Sequence, residues 1–308
     1  MVTKKFSDVS IDEQLAFIES FDTVMCDVDG VIWDMVKLID GSTEGINALR
    51  SLGKKLYFVT NNSTSHIDLF LERLKVIGVK KEEVIRPGNS LIWYLKKMNF
   101  QKEVYVIGFE TLKDELRKAG FKVVSDELVP IDETVAGVAE MIKNINPNVS
   151  AIVVDMSVNL TYNQLQKCVE YIKRNNAQFL TGSWDDLIPF LNFKLIGPAL
   201  FSKIIQQVTQ VNPKILSKPG KEFQEVLEDN IGPYDPKRVL FIGDSIHTDM
   251  VFATNCGFQK LLPLTGLTSE EDIKNWKWEK KIEPDYYVDN LKIFSEILHF
   301  SEKRNNKL

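Results

Sequence analysis

The sequence predicts an α/β protein: a Rossmann-like, doubly wound parallel sheet with a second α/β unit inserted into it. Three observations carry this reading. Short apolar runs alternate with helical patterns along the chain, the order that builds parallel sheet covered by helices. Several runs stop abruptly in polar residues, at 27–30, 60–63, 217–220 and 243–249, as strands do where an open sheet meets a ligand. The middle of the chain carries no such cluster and is long enough to be a domain. With 308 residues the chain has the length of about two ordinary domains. No Pro/Gly/Ser linker divides it, so the second unit is expected as an insertion: a core of 1–100 and 209–308, and an insert of 101–208.

Ser10 and Glu13 form a capping-box pattern, and Ile11, Leu15 and Ile18 share one face of the helix that follows. The strand "TVMCDVD" comes next. A helix over 43–52 has Ile46, Leu49 and Leu52 at apolar spacing and Gly53 where a left-handed terminal residue belongs. "KKLYFVTNNST" then completes a βαβ unit. "EVYVIG", "SAIVVDM", "AQFLTG", "PKILSKPG", "RVLFIGDS" and "FQKLLPLTG" are further strands, with helices at "TLKDELRKAG" and "YNQLQKCVEYIKR" between them. Thr268 with Glu271 predicts one more capped helix. The alternation does not say how many sheets these strands form.

Composition excludes some classes of function. The chain is 44% apolar and 26% charged, with a formal charge of −5. That balance gives no electrostatic reason to expect nucleic acid or an anionic membrane as partner. No run of about 18 apolar residues suggests a membrane span. Cys26, Cys168 and Cys256 are odd in number and widely spaced, which suits a reducing, cytoplasmic setting. Cys26 directly precedes Asp27, so its oxidation would disturb whatever Asp27 does.

Alternate residues of a strand share a face, so Asp27 and Asp29 emerge side by side while Val28 points away. If the four polar strand ends converge, they gather Asp27, Asp29, Asp244 and Asp249, the hydroxyl and amides around Thr60 and Asn61, and the ammonium of Lys218. Two carboxylates ~4 Å apart repel by about 4 kcal/mol at an effective dielectric of 20, equivalent to roughly three pKa units. Such a cluster protonates unless a cation joins it. Oxygen ligands without His or Cys favour a hard ion, and Mg²⁺ is the one that keeps waters and recruits phosphate. "DVDGVIWDMVKL" lacks the spacing of a calcium loop. Hydroxyl, amide and lysine donors suit a phosphoryl group. One aspartate would attack phosphorus while the other handles the leaving group's proton. A phosphomutase would share that pair, and a catalytically silent protein that only holds metal and phosphate would share the pocket.

"DVDGV", "VTNNST", "SKPG" and "GDSIHTD" resemble, in order, the four motifs of the haloacid dehalogenase (HAD) superfamily of phosphatases. "LERLKVIGV", "NCGFQKLLPLTGLTSEED" and "PDYYVDN" are similar to its p-nitrophenylphosphatase, phosphoglycolate phosphatase and pyridoxal phosphatase group. The resemblance implies a Mg²⁺-dependent phosphomonoesterase acting on small phosphorylated metabolites, such as phosphoglycolate or glycerol phosphate, or on p-nitrophenyl phosphate in assay. Pyridoxal phosphate is the alternative substrate. It implies that Asp27 becomes an aspartyl-phosphate and that Asp29 is the acid/base. Thr60, Asn61 and Lys218 would hold phosphoryl oxygens, with Asn62 facing the substrate. The metal would take Asp27, Asp244 and the main-chain carbonyl of Asp29, with Asp249 close behind.

In this group a C2-type α/β cap lies between the second and third motifs, and such caps often pair into homodimers. "TGSWDDLIPF" resembles the cap's specificity loop, which makes Asp185, Asp186 and Ile188 candidates for facing the substrate. The chain departs from the group at Met35, at Asp155 and Ser157 in the cap, at His247, and at Ile188, where pyridoxal phosphatases tend to carry a histidine. These departures bear on substrate and leave the hydrolytic residues intact.

Overall fold

The computed structural model describes residues 3–34, 36–125, 131–190 and 193–305, so Met35 lies outside the described residues. Its strands are, in chain order, β1 (Lys4–Lys5), β2 (Thr23–Cys26), β3 (Lys55–Val59), β4 (Val84–Ile85), β5 (Glu103–Ile107), β6 (Lys122–Val124), β7 (Val149–Val154), β8 (Gln178–Thr181), β9 (Leu187–Phe190), β10 (Phe193–Ile196), β11 (Lys214–Ile215), β12 (Val239–Ile242), β13 (Gln259–Pro263) and β14 (Tyr286–Val288). They form a seven-stranded sheet in the order β1-β14-β13-β12-β2-β3-β4, a five-stranded sheet in the order β11-β8-β7-β5-β6, and the hairpin β9–β10. Every pairing in the two larger sheets is parallel.

Both faces of the seven-stranded sheet are apolar because successive residues of its central strands feed opposite layers. Val24, Cys26, Phe58, Leu240 and Ile242 pack on one side with Ile46, Leu49 and Phe294. Met25, Val59, Val239 and Phe241 pack on the other with Phe223, Val226 and Phe252. A parallel sheet with helices on both faces needs that unbroken hydrophobicity, and each fully buried phenylalanine contributes about 1.5–3 kcal/mol. From β2 the order runs outward to β3 and β4 on one side and to β12, β13 and β14 on the other. The crevice where it reverses is where such sheets bind ligands.

The five-stranded sheet is built the same way, with Tyr105, Ile107, Ile152 and Val154 on one face and Val104, Val106, Ala151 and Val153 on the other. Leu91 and Leu95, from the helix Pro87–Lys97, and Leu216 share the second of these layers. The hydrophobic core of this unit therefore draws on residues either side of 101–208.

Local signals explain several helix ends. Ser10 Oγ accepts from the Glu13 amide at 3.2 Å and opens the helix Ile11–Glu19. Gly53 ends the helix Ser42–Ser51 at φ +75°. Thr161 and Gln164 form a capping box for Tyr162–Asn175. The late helix corrects an expectation: its cap is Ser269 with Asp272, one residue beyond Thr268 and Glu271. Thr268 is engaged elsewhere, its Oγ1 donating to the Asp244 carbonyl at 2.6 Å. None of the helices among the described residues is long and apolar enough to cross a membrane.

Candidate active site

Asp27 follows directly on β2, and its amide donates to Ile242 O on the neighbouring β12 at 2.8 Å. Asp27 and Asp29 line one cavity together with Thr60, Asn61 and Asn62 from the end of β3 and Asp244 from the end of β12. Lys218 and, from the inserted unit, Asp185 and Ile188 complete the sequence-predicted lining. Lys218 arrives by a different route from the others. The strand before it, β11, belongs to the five-stranded sheet, so the lysine comes from the returning connection and not from a core strand end.

Lys218 is 1% exposed. Its Nζ lies 2.8 Å from Asp27 Oδ1 and 2.8 Å from Asp249 Oδ1. Burial works against its charge, but the Asp249 and Asp27 carboxylates outweigh burial and raise its pKa. Burial pushes the Asp27 carboxyl well above the usual carboxylate range; Lys218 opposes this, while Asp249 and Asp244 add to it. Asp244 is pushed up to about 7, by burial first and then by the Asp249 charge. Its Oδ2 accepts from the Leu267 amide at 2.5 Å. Gly30 is at φ +88°, and a Cβ there would sit 2.6 Å from Asp244 Oδ2, so glycine lets the loop after β2 close against this carboxylate.

Asp27, Asp244 and Asp249 offer carboxylate oxygens that all lie within 4.8 Å of one another. Three buried carboxylates with oxygen-only donors, two of which, Asp27 and Asp244, are pushed towards the protonated form by burial and by neighbouring charge, fit a hard divalent cation. The Asp29 carboxylate lies outside this group. Its Oδ2 accepts from Asn62 Nδ2 at 3.1 Å and from Thr60 Oγ1 at 3.3 Å. Burial raises the Asp29 pKa, and those two hydrogen bonds oppose the rise.

Asp185 is reached through the loop after β3: Asn61 Nδ2 donates to its Oδ2 at 3.0 Å, and Ser183 Oγ at 2.7 Å. Asp186 is not brought to this cavity. It is exposed, pairs with Lys203, and lines a neighbouring cavity with Trp184, His247 and Trp278. His247 is also exposed and meets the Trp278 ring edge-on at 5.7 Å. Ser63, Met156, Ser183, Ser245 and Thr248 line the same cavity as well. Ser63 and Ser245 stand inside the quoted motifs and were open to recognition there. The Leu267 amide was not, because a main-chain donor leaves no mark in side-chain identity. Cys26 is wholly buried, and burial raises its thiol well above the ordinary range.

The fold and this constellation fit a hydrolase. Residues 24–122 match the haloacid dehalogenase-like hydrolase family, and residues 215–293 match a second model of the same kind, HAD-hydrolase-like. A 4-nitrophenylphosphatase of Schizosaccharomyces pombe is 33% identical over 303 residues, covering 96% of this chain and 99% of that one. Phosphoglycolate phosphatase 2 of Arabidopsis thaliana is 30% identical, covering 93% and 95%. The solved structure of a p-nitrophenyl phosphatase from Archaeoglobus fulgidus superposes with a TM-score of 0.75 at 25% identity, covering 90% of this chain and 99% of that one. The chain belongs to the haloacid dehalogenase-like hydrolases. Within them it is a phosphatase, of a superfamily that generally uses a divalent metal.

Proposed function

We propose that the enzyme hydrolyses phosphomonoesters of small metabolites by way of a phosphoryl group carried on Asp27, with Mg²⁺ as its ion. The observation that carries this reading is the convergence of Asp27, Asp29, Thr60, Lys218 and Asp244 on one cavity from four distant segments. The contacts from Lys218 and from the Val28 amide, both at 2.8 Å, fall on Asp27 Oδ1, so Oδ2 is assigned to the attack on phosphorus. As the P–O bond to the leaving group breaks, Asp29 gives its proton to the departing alcohol oxygen. Asp29, now ionised, takes a proton from water, whose oxygen displaces Asp27 from phosphorus and releases inorganic phosphate. Thr60 Oγ1, the Asn61 amide and Lys218 Nζ hold the phosphoryl oxygens, and Asn62 faces the substrate. Asp27, Asp244 and the Asp29 carbonyl would hold Mg²⁺, with Asp249 behind them orienting Lys218. The ion would supply charge stabilisation of the phosphoryl oxygens.

The inserted unit is read as a C2-type cap over the cavity, with the division 1–100 and 209–308 against 101–208, its core also drawing on Leu91, Leu95 and Leu216. Ile188 and Asp185 are its contributions to substrate choice, and Asp186 acts through the adjoining cavity. Phosphoglycolate and glycerol phosphate are the favoured substrates. Ile188 at the position before the loop proline disfavours pyridoxal phosphate. A homodimer through the cap is part of the reading. Leu200, Ile204 and Val208 make an exposed stripe at four-residue spacing on the helix Pro198–Thr209, and Phe193 and Ile196 are exposed in β10 just before it. A cytoplasmic setting fits three buried cysteines that form no disulfide among the described residues.

Release of inorganic phosphate from a panel of phosphomonoesters, with no acceptor and with Mg²⁺ or EDTA, tests the reaction. Asp27→Asn is expected to abolish turnover, and near-wild-type activity in that variant would refute the nucleophile. A requirement for an acceptor sugar would make the enzyme a mutase, and no release under any condition would make it a binding protein.

A further inference from the structure

The loop after β3 is held from the inserted unit through Ser63. Its hydroxyl donates to Asp155 Oδ1 at 2.6 Å, and its carbonyl accepts from Thr111 Oγ1 at 3.0 Å. Asp155 stands at the carboxyl end of β7 and is wholly buried. Its Oδ1 also accepts from the Met156 amide at 2.6 Å, while Oδ2 has no hydrogen-bond partner among the described residues. Close packing surrounds that oxygen: a Cβ on Gly182 would lie 2.4 Å from it. Burial pushes the Asp155 carboxyl up to about 6, and the bonds from Ser63 and Met156 oppose the rise.

A buried carboxylate with one oxygen unsatisfied costs free energy, so its neighbours must fix it in place. Arg86 stands at the passage from β4 into the inserted unit, 2% exposed, with Nη2 donating to Ser65 O at 2.6 Å. Its charge acts favourably on Asp155. The carboxylate thus sits between the connection into the inserted unit and the loop that carries Thr60, Asn61 and Asn62. Only two residues, Asn61 and Asn62, separate Ser63 from Thr60, and the Asn62 amide donates to Thr60 Oγ1 at 3.0 Å. A displaced Ser63 therefore moves the donors.

We propose that Asp155 is a positioning residue for phosphoryl binding, its Oδ1 anchoring Ser63 so that the 60–62 donors keep their places. This rests on the assignment of Thr60 and Asn61 as the phosphoryl holders. Misplacement of such groups by 1 Å costs up to about 10²-fold in rate, and a loosened loop costs part of that.

The test uses Asp155→Ala, Asp155→Asn, Ser63→Ala and the Asp155→Ala/Ser63→Ala double variant. kcat, KM and the inhibition constant of inorganic phosphate are measured for each below its own unfolding temperature. Asp155→Ala and Ser63→Ala are each expected to lower kcat/KM by about tenfold and to weaken phosphate inhibition by a similar factor. The double variant is expected to be no worse than either single one, as residues acting through one bond are non-additive. Asp155→Asn keeps an acceptor for Ser63 and is expected within about twofold of the parent. A folded Asp155→Ala enzyme with unchanged phosphate inhibition would overturn the inference. So would an Asn variant as impaired as the Ala one, or additive losses. Thr60→Ala separates the two readings: if it too leaves phosphate inhibition unchanged, the holder assignment fails. If it weakens inhibition and Asp155→Ala does not, only the role of Asp155 fails.

Discussion

Lys218 Nζ lies 2.8 Å from Asp27 Oδ1, and both side chains are withdrawn from water. Removing one partner of a buried ion pair leaves the other's charge uncompensated, at a cost of about 3–5 kcal/mol. Lys218→Met is expected to destabilise the metal-free protein by that order at pH 7.5. Burial already raises the Asp27 pKa, and losing the lysine raises it further. As the pH falls the Asp27 carboxyl takes a proton, which removes its part of the charge orphaned beside Asp249. The cost is therefore expected to shrink by pH 5, and urea unfolding of both proteins at the two pH values checks it. An equal cost at both would show that the loss is one of packing.

Asp29 acts in both half-reactions under the proposed mechanism. Asp29→Asn cannot protonate the leaving alcohol, nor can it take a proton from water. It is expected to form the phosphoenzyme slowly, to hold it, and to lose turnover by a factor of 10² or more, the usual scale of acid/base catalysis. Acid-quenched labelling with a phosphorus-labelled ester reads the intermediate, and rapid multiple turnover would contradict the assignment.

The Asn62 and Thr60 hydrogen bonds to Asp29 Oδ2 favour its ionised form, against a burial effect that favours the acid. Asn62→Ala removes one of the bonds, so the Asp29 pKa should rise. The group that must be protonated for leaving-group departure then stays protonated to higher pH. The alkaline limb of the kcat/KM profile is expected to move upward in Asn62→Ala, whatever the variant does to KM. A limb that stays put or moves down would assign it to another group.

Asp244 is pushed up to about 7 by burial and by Asp249, so a bound cation competes with a proton there. Below pH 7 the apparent Mg²⁺ affinity is expected to fall by at least about tenfold per pH unit, because binding displaces the Asp244 proton and any proton carried by Asp27. Titration of metal-dependent activity or of thermal stability between pH 5.5 and 8 measures the slope. In Asp244→Asn the slope should flatten and the Mg²⁺ requirement rise. A pH-independent affinity in the parent would remove Asp244 from the ligand set.

Residues 23–29 mark Asp27 and Asp29 in the linear chain as neighbours at a strand end, and they do line one cavity, although β2 stops at Cys26 and both lie in the loop beyond it. The alternation of apolar runs with helical spacing likewise determined parallel sheets covered by helices, and Ser10 and Gly53 marked helix ends because capping chemistry is local. Strands as short as β1 and β4 carry no period and were not legible. Tertiary packing decided what those local rules cannot reach: that Lys218 enters on the return from the five-stranded sheet, and that Thr268 gives its hydroxyl to Asp244 while Ser269 takes the helix cap. It also decided that Asp186 turns to Lys203 and away from the catalytic cavity, and that Asp155 anchors Ser63 across 92 residues of chain. Each of these depends on which distant backbone arrives beside a side chain, and the core assembles that proximity only when both sheets are folded.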